Sequence, residues 1–168
     1  MHERNTVRTP RLLLRRFVPD DLEPMHAIFS DPETMRYWST LPHTVLSETQ
    51  EWLDETIEAV AAEQSDDFAV TLGGAVIGKA GLWRSNEVGM IFARGMWGTG
   101  VAREALQAVI ERAVAFGTDP IVAEVDPRNL RSLRCLQALG FVQTGSAQRT
   151  FCLAGVWSGS IYMARSSA

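Results

Sequence analysis

The stretch Arg94-Gly-Met-Trp-Gly-Thr-Gly-Val-Ala-Arg-Glu-Ala-Leu106 places Gly95, Gly98 and Gly100 within six residues and then turns into a helical pattern. A strand-like run, Val88-Gly-Met-Ile-Phe-Ala93, precedes it. A strand, a glycine-rich turn and a helix N-terminus together make an anion site. Glycine lets the backbone approach a ligand, and the N–H groups of the first helical turn have no partner inside the helix. The chemistry this implies is the holding of a phosphate-bearing molecule.

Spacing separates the phosphate motifs. Gly98-Thr-Gly100-Val-Ala-Arg103 begins like a dinucleotide fingerprint, but the third glycine is missing and the segment lies mid-chain, after a run of short strands. Gly73-Gly-Ala-Val-Ile-Gly78-Lys79-Ala80 is one residue from a P-loop. Ala80 stands where a Ser or Thr must hold magnesium, and no helix follows, so Lys79 reads as a strand residue. There is no Gly-x-Ser-x-Gly elbow, and the three scattered histidines give no ligand pair, so no metal is expected.

Bulk properties bound the class. At 168 residues, with 46% hydrophobic and 21% charged residues, one globular domain spanning 1–168 is expected. The net charge of −4 argues against a nucleic-acid binder. Fifteen of the sixteen basic residues are Arg, which suits phosphate contacts but equally reflects a composition bias. Cys135 and Cys152 have no redox or metal spacing. The first residues, Met-His-Glu-Arg-Asn-Thr, hold no apolar core for a leader, and no apolar run is long enough to span a membrane. A cytoplasmic location is the expectation.

The elements that must position the glycine turn follow from periodicity. Leu12 to Phe17 reads as a strand, and Pro19-Asp20 starts a helix carrying Leu22, Met25, Ile28 and Phe29. Ser47-Glu-Thr-Gln50 has capping-box form for a helix to about Ala62, with Leu53, Ile57 and Val60 on one face. Its acidic side, Glu48, Glu51, Asp54, Glu55 and Glu58, is either a solvated surface or a guide for a cationic substrate. Three short strands follow: 68–72, 75–82 and 87–92, the first two joined at Gly73-Gly74. A helix from about Gly100 to Phe116 carries Ala102, Leu106, Val109, Ala113 and Phe116; Ile121 to Val125 is a buried strand; Asn129 to Leu139 is a helix closed by Gly140. Two or three strands complete the chain from Phe141. The order is β-α-α-β-β-β-α-β-α-β-β, an α+β fold around a mixed, mostly antiparallel sheet with one parallel step over 87–125.

Trp97-Gly-Thr-Gly-Val-Ala102 resembles the Q/R-x-x-G-x-G/A acyl-CoA loop of the GNAT acetyltransferase superfamily. Extended through Glu104-Ala105, it is similar to the branch containing the ribosomal-protein N-terminal acetyltransferases (Rim-type) and many small-molecule relatives. Asn129-Leu-Arg-Ser132-Leu-Arg-Cys-Leu-Gln-Ala-Leu-Gly140-Phe141 resembles that branch's N-x-x-S-x-x-x-L-x-x-x-G-F, and Thr9-Pro-Arg-Leu-Leu-Leu-Arg15 its first strand. The chain departs at four places: Trp97 replaces the usual Gln or Arg, Met90 after Gly89 the usual tyrosine of the preceding strand, Arg94 a common proline, and Leu136 the tyrosine of many members.

The resemblance implies the acyl-CoA N-acyltransferase fold, acetyl-CoA as donor and direct attack by a primary amine. Trp97, Gly98, Thr99, Gly100, Val101, Ala102 and Arg103 would then bind the pyrophosphate, with N–H donors from Thr99 to Ala102 and charge from Arg103. Ile91 and Phe92 would pair with the pantetheine arm through their backbone, with a backbone N–H near Phe92 facing the thioester oxygen. An attacking ammonium must lose a proton. Glu87 is the favoured base and Glu124 the weaker one, although a strand-end carboxylate also suits a plain surface. Ser132 fits the donor to the departing thiolate, or is simply a small polar residue in a helix. Asn129 is expected to cap that helix and contact the cofactor.

For the acceptor, the resemblance points between the first helices and the last strands. Arg36, Trp38 and Trp83 are the candidate contacts there, with Met35, Tyr37 and His43 nearby, and the aromatic cluster suits either an ammonium or a core. Protein N-termini and small-molecule amines both stay open as acceptors, as does a homodimer. A different class of function, an acyl-CoA-binding sensor or interaction module without catalysis, is the alternative.

Overall fold

The computed structural model describes residues 5–166; Met1 to Arg4, part of the stretch read for a leader, lie outside them. In chain order the elements are β1 (Thr6–Arg8), β2 (Leu12–Arg15), α1 (Leu22–Phe29), α2 (Leu46–Ala61), β3 (Asp66–Leu72), β4 (Ala75–Leu82), β5 (Val88–Phe92), α3 (Val101–Ala115), β6 (Ile121–Val125), α4 (Leu130–Ala138), β7 (Val142–Leu153) and β8 (Val156–Arg165). Short 3-10 turns, Pro19–Asp21 and Arg94–Met96, lead into α1 and toward α3.

The strands form two antiparallel sheets, ordered β1-β2-β3-β4-β5 and β6-β8-β7. They meet at one parallel bridge between Glu87 and Val122, with Val122 N–H donating to Asn86 O at 2.9 Å. The expected parallel step is therefore present but shrinks to this one point. Beyond it β5 and β6 diverge, and the two sheets splay open. An unexpected strand, β1, makes a hairpin with β2; three residues between polar neighbours give too short a pattern to announce it.

Gly73 and Gly74 take φ of +58° and +88°, the paired positive angles of a type I′ turn, which sets the β3–β4 register. One face of the first sheet buries Leu14, Phe68, Val70 and Ala80 with Leu106, Val109 and Ile110 of α3. The opposite face carries Ala69 and Ile91 against Met25, Phe29 and Leu53 of α1 and α2. Phe29 is packed edge-on by Trp52 at 4.5 Å between ring centres and contacted by Trp38 and His43, so truncating it to Ala should cost about 3–5 kcal/mol.

Two helix details differ from the pattern. Phe116, placed on the apolar stripe of α3, lies past its end and is 60% exposed, with the Arg112 guanidinium 4.7 Å from its ring centre. The cap of α2 falls at Val45, two residues before Ser47: Glu48 at the third helical position accepts from the N–H groups of Thr44 and Val45 at 2.6 and 3.1 Å. Among the described residues no helix is long and apolar enough to cross a membrane.

Candidate functional site

The glycine turn follows β5 through a 3-10 turn. Gly98 and Gly100 have φ of +76° and +83°, which a side chain would strain, and Gly100 is the N-cap of α3. The first helical hydrogen bond runs from Glu104 N–H to Gly100 O at 3.1 Å, so the N–H groups of Val101, Ala102 and Arg103 point out of the helix end. Thr99 differs from the expectation: its N–H turns back to Met96 O at 3.3 Å, and its hydroxyl donates to the same oxygen. The donor set thus starts at Gly100.

Side chains lock this turn in place. The Trp97 indole N–H donates to Phe92 O at 3.1 Å, tying the loop to the end of β5. Arg131 of α4 stacks its guanidinium 3.6 Å from the centre of the Trp97 ring. Arg11 donates to Thr99 O and is gripped by Glu104, which also accepts from Thr9; these contacts hold the Glu104 carboxyl below its usual range, the Thr9 hydrogen bond most of all. Arg103, expected to supply charge to a phosphate, instead reaches Ala138 O at the end of α4. The cations at the turn are Arg11 and Arg131, and neither has a local signal, since each arrives from a distant element.

On the other side of β5 a cavity of about 780 Å³ follows the splay between the sheets and continues under α2. It gathers Glu87, Asn129, Ser132, Trp38 and Trp83 on one wall system. Arg36 is not part of it: this exposed side chain pairs with Glu33 at 3.7 Å. Ile91 and Phe92 turn their side chains into the two cores, so only their backbone faces the splay.

Asn129 caps α4, its Oδ1 accepting from Ser132 N–H at 3.2 Å. Ser132 is half-buried and lines the cavity. Leu136, where many relatives of this motif carry tyrosine, is buried on the same wall. Glu124 receives the Ser160 hydroxyl, which is itself bonded to Thr150 Oγ1 at 2.6 Å. Asp126 is held below its ordinary range by Arg128 and Ser158 against the opposing effect of burial.

The acidic side of α2 divides. Glu51 and Glu55 line the cavity, whereas Asp54 and Glu58 face solvent, Asp54 accepting from Gln50. His43 also lines the cavity; burial lowers its pKa, and it shares the Thr49 hydroxyl with His26 at 2.8 and 2.7 Å. The sequence missed Lys79. Segment 73–80 is a hairpin and strand, so the P-loop reading fails as expected, but the ammonium is buried at the cavity floor, 2.9 Å from Asp67 and about equidistant from the Trp38 and Trp52 rings.

A glycine-built helix N-terminus beside a splayed strand pair, with a carboxylate-lined cavity behind it, is the layout that the two motifs imply together. Residues 11–142 match the family model described as an acetyltransferase (GNAT) domain. The chain belongs to the GNAT acetyltransferase family. As a GNAT member it is an N-acetyltransferase. It is 29% identical over 149 residues to an uncharacterized N-acetyltransferase, p20, of Bacillus licheniformis, covering 83% of this chain and 84% of that one. Its fold is shared with RimL, a ribosomal L7/L12 alpha-N-protein acetyltransferase solved with coenzyme A, at a TM-score of 0.88, 15% identity and coverage of 96% and 98%. The spermidine N-acetyltransferase of Vibrio cholerae, solved with CoA and spermine, gives 0.81, 21%, and 94% and 96%.

In this GNAT chain Glu87, Glu124 and Ser132 line the cavity, and the turn at Gly98 to Ala102 follows the end of β5. Among the described residues no group of three or more His, Cys, Asp or Glu is placed to hold a metal.

Proposed function

We propose that the protein moves an acetyl group from acetyl-CoA to a primary amine by direct attack, the donor entering at the glycine turn and the acceptor through the cavity under α2. The observation that carries this reading is the splay itself. A strand edge running from Glu87 to Phe92 leads to the outward N–H groups of Val101, Ala102 and Arg103 at one end, and a carboxylate-lined cavity lies beside it.

The residues fit the donor. Gly98 and Gly100 leave the space above the turn free of side chains, and a Cβ on Gly100 would meet only Arg11 at 3.4 Å. The helix-end N–H groups and Arg11 would hold the pyrophosphate, and the β5 backbone at Ile91 would align the pantetheine amides. When bound, acetyl-CoA supplies an activated acyl group. Glu87 takes one proton from the ammonium of the acceptor, directly or through water, and the free amine forms the new C–N bond as the C–S bond breaks. Ser132 offers its hydroxyl proton toward the departing sulfur.

Release of free CoA thiol during incubation with acetyl-CoA and an amine panel tests this reading. Turnover on any primary amine supports it. Tight acetyl-CoA binding without turnover on any member would favour the sensor, a reading that the leucine at position 136 keeps in play. Absence of acetyl-CoA binding would sink both.

A further inference from the structure

One piece of chain crosses the open end of the splay. β5 and β6 are bridged in parallel at Glu87 and Val122, near their starts, so the ends of both strands lie together where the splay is open. An arginine follows each end: Arg94 two residues past β5 and Arg128 three residues past β6. Both reach the segment between α1 and α2. Arg94 forks onto Asp31, its Nε donating to Oδ2 at 3.0 Å and its Nη2 to Oδ1. The Arg128 guanidinium stands 5.6 Å from the centre of the Tyr37 ring. Arg94 occupies the position of the common proline, which could make no such fork.

Each fastening is fixed from behind. The Asp31 carboxylate also accepts from the Thr34 hydroxyl at 2.7 Å and the Glu33 N–H at 3.3 Å, and its carbonyl takes the Met35 N–H at 3.0 Å. Arg94 O in turn accepts the N–H of Trp97, at the head of the glycine turn, at 3.1 Å. On the other flank Asp126 holds Arg128 through Nε at 2.9 Å and Nη2 at 2.6 Å, and the buried Asp126 takes the Ser158 hydroxyl at 2.6 Å. Arg128 directly precedes Asn129, the cap of α4. Each arginine thus stands just ahead of a donor-side helix start, that of α3 or α4, and meets one end of segment 31–37.

What the two fastenings hold is the acceptor wall. Between them Met35 is buried in the second core, and Trp38 N–H donates to Met35 O at 3.0 Å. Tyr37 and Trp38 line the cavity. No helix or strand runs through this segment to fix the direction of either ring, so its ends must. Arg94 and Arg128 are each about half exposed, and exposed pairs add little to overall stability, so their use is geometric.

We infer, resting on the donor site proposed above, that Arg94 and Arg128 are positioning residues: they strap Tyr37 and Trp38 across the open end of the splay, so that a donor settling against the starts of α3 and α4 sets the acceptor wall. Neither arginine has to touch the acceptor. The coupling runs through both fastenings, so loss of either one frees the segment from the donor.

Hydrogen exchange of the full chain, with and without coenzyme A, tests this. The reporters are the N–H groups of Met35 and Trp38, whose acceptors lie within the segment. Coenzyme A should slow exchange across 31–38 by about fivefold, the equivalent of about 1 kcal/mol. Arg94→Ala should abolish that slowing while coenzyme A still protects the glycine turn at 98–102. Tyr37→Leu should do the same from the other end; it deletes the stack without stranding the buried Asp126, as Arg128→Ala would. Melting temperatures confirm that both variants fold, and protection at 98–102 confirms that both bind. No slowing across 31–38 in the wild type, or slowing that survives either variant, overturns the inference and leaves the transferase in place. Coenzyme A that protects neither 31–38 nor 98–102 fails the donor reading, and the strap with it.

Discussion

The indole N–H of Trp97 and the carbonyl of Phe92 are joined at 3.1 Å, so the last residue of β5 and the first residue of the glycine turn move as one piece. That bond uses a β5 carbonyl at the end of the splay and sets the height of the loop above it. Arg131 on the ring's other contact ties α4 to the same point. Trp97→Phe keeps an aromatic surface for Arg131 and deletes the donor. Loss of one such bond is worth about 1 kcal/mol. The expected result is a several-fold weaker affinity for acetyl-CoA with little change in the maximal rate. Calorimetric titration with acetyl-CoA measures it, and an unchanged affinity would detach Trp97 from the donor side.

Gly100 is tested by bulk. At φ +83° a side-chain-bearing residue costs roughly 1–2 kcal/mol, and a large one would also fill the space in front of the Val101 and Ala102 N–H groups. Gly100→Trp should abolish acetyl-CoA binding while circular dichroism stays native, because the strain falls at an exposed turn. Retained affinity would refute the placement of the pyrophosphate at this helix end.

What the sequence made legible was local. Gly98, Gly100 and the Asn129 cap are recognisable because turn geometry and capping act over three or four residues, and the Gly73-Gly74 hairpin for the same reason. What it hid was set by register. Lys79 meets Asp67 only because β3 and β4 pair as they do, and Arg11 reaches Thr99 from 88 positions away along the chain. Arg36 was named for its company with Tyr37 and Trp38, but it sits on the outer side of an irregular segment where no periodicity fixes direction. The splay is likewise invisible in sequence, since a strand–helix–strand pattern announces a parallel step and not how soon the strands part.

Asp31 carries a pH signature. It follows α1 and pairs with Arg94, just before the glycine turn; Arg94 first, and Thr34 next, hold its carboxyl down to about 2. A carboxylate depressed in the folded state contributes stability that is complete above its unfolded pKa, near 3.8, and is lost as pH falls to about 2. Melting temperature followed between these limits should therefore fall more steeply for the wild type than for Asp31→Asn. Parallel profiles would show that the pair adds nothing in solution, as exposed ion pairs often do.

Ser132 and Glu87 separate the two proton tasks. Both line the cavity at the splay, but Ser132 stands on the α4 side and Glu87 at the start of β5. Ser132→Ala removes only a hydroxyl, since the capping bond to Asn129 uses the backbone N–H and survives. If the hydroxyl protonates the departing sulfur, kcat should fall about tenfold or more while acetyl-CoA affinity holds within about twofold, because the donor matters only as sulfur gains charge. Glu87→Gln should also lower kcat, and its deficit should shrink as pH rises, because a larger share of the amine then arrives already deprotonated. For Ser132→Ala the deficit should persist across the same range, since no rise in pH supplies a proton to the leaving group. Rate–pH profiles of the two variants against the wild type decide it. A Ser132→Ala enzyme at full rate would remove the hydroxyl from the chemistry, and a Glu87→Gln deficit indifferent to pH would reassign Glu87 to positioning the acceptor.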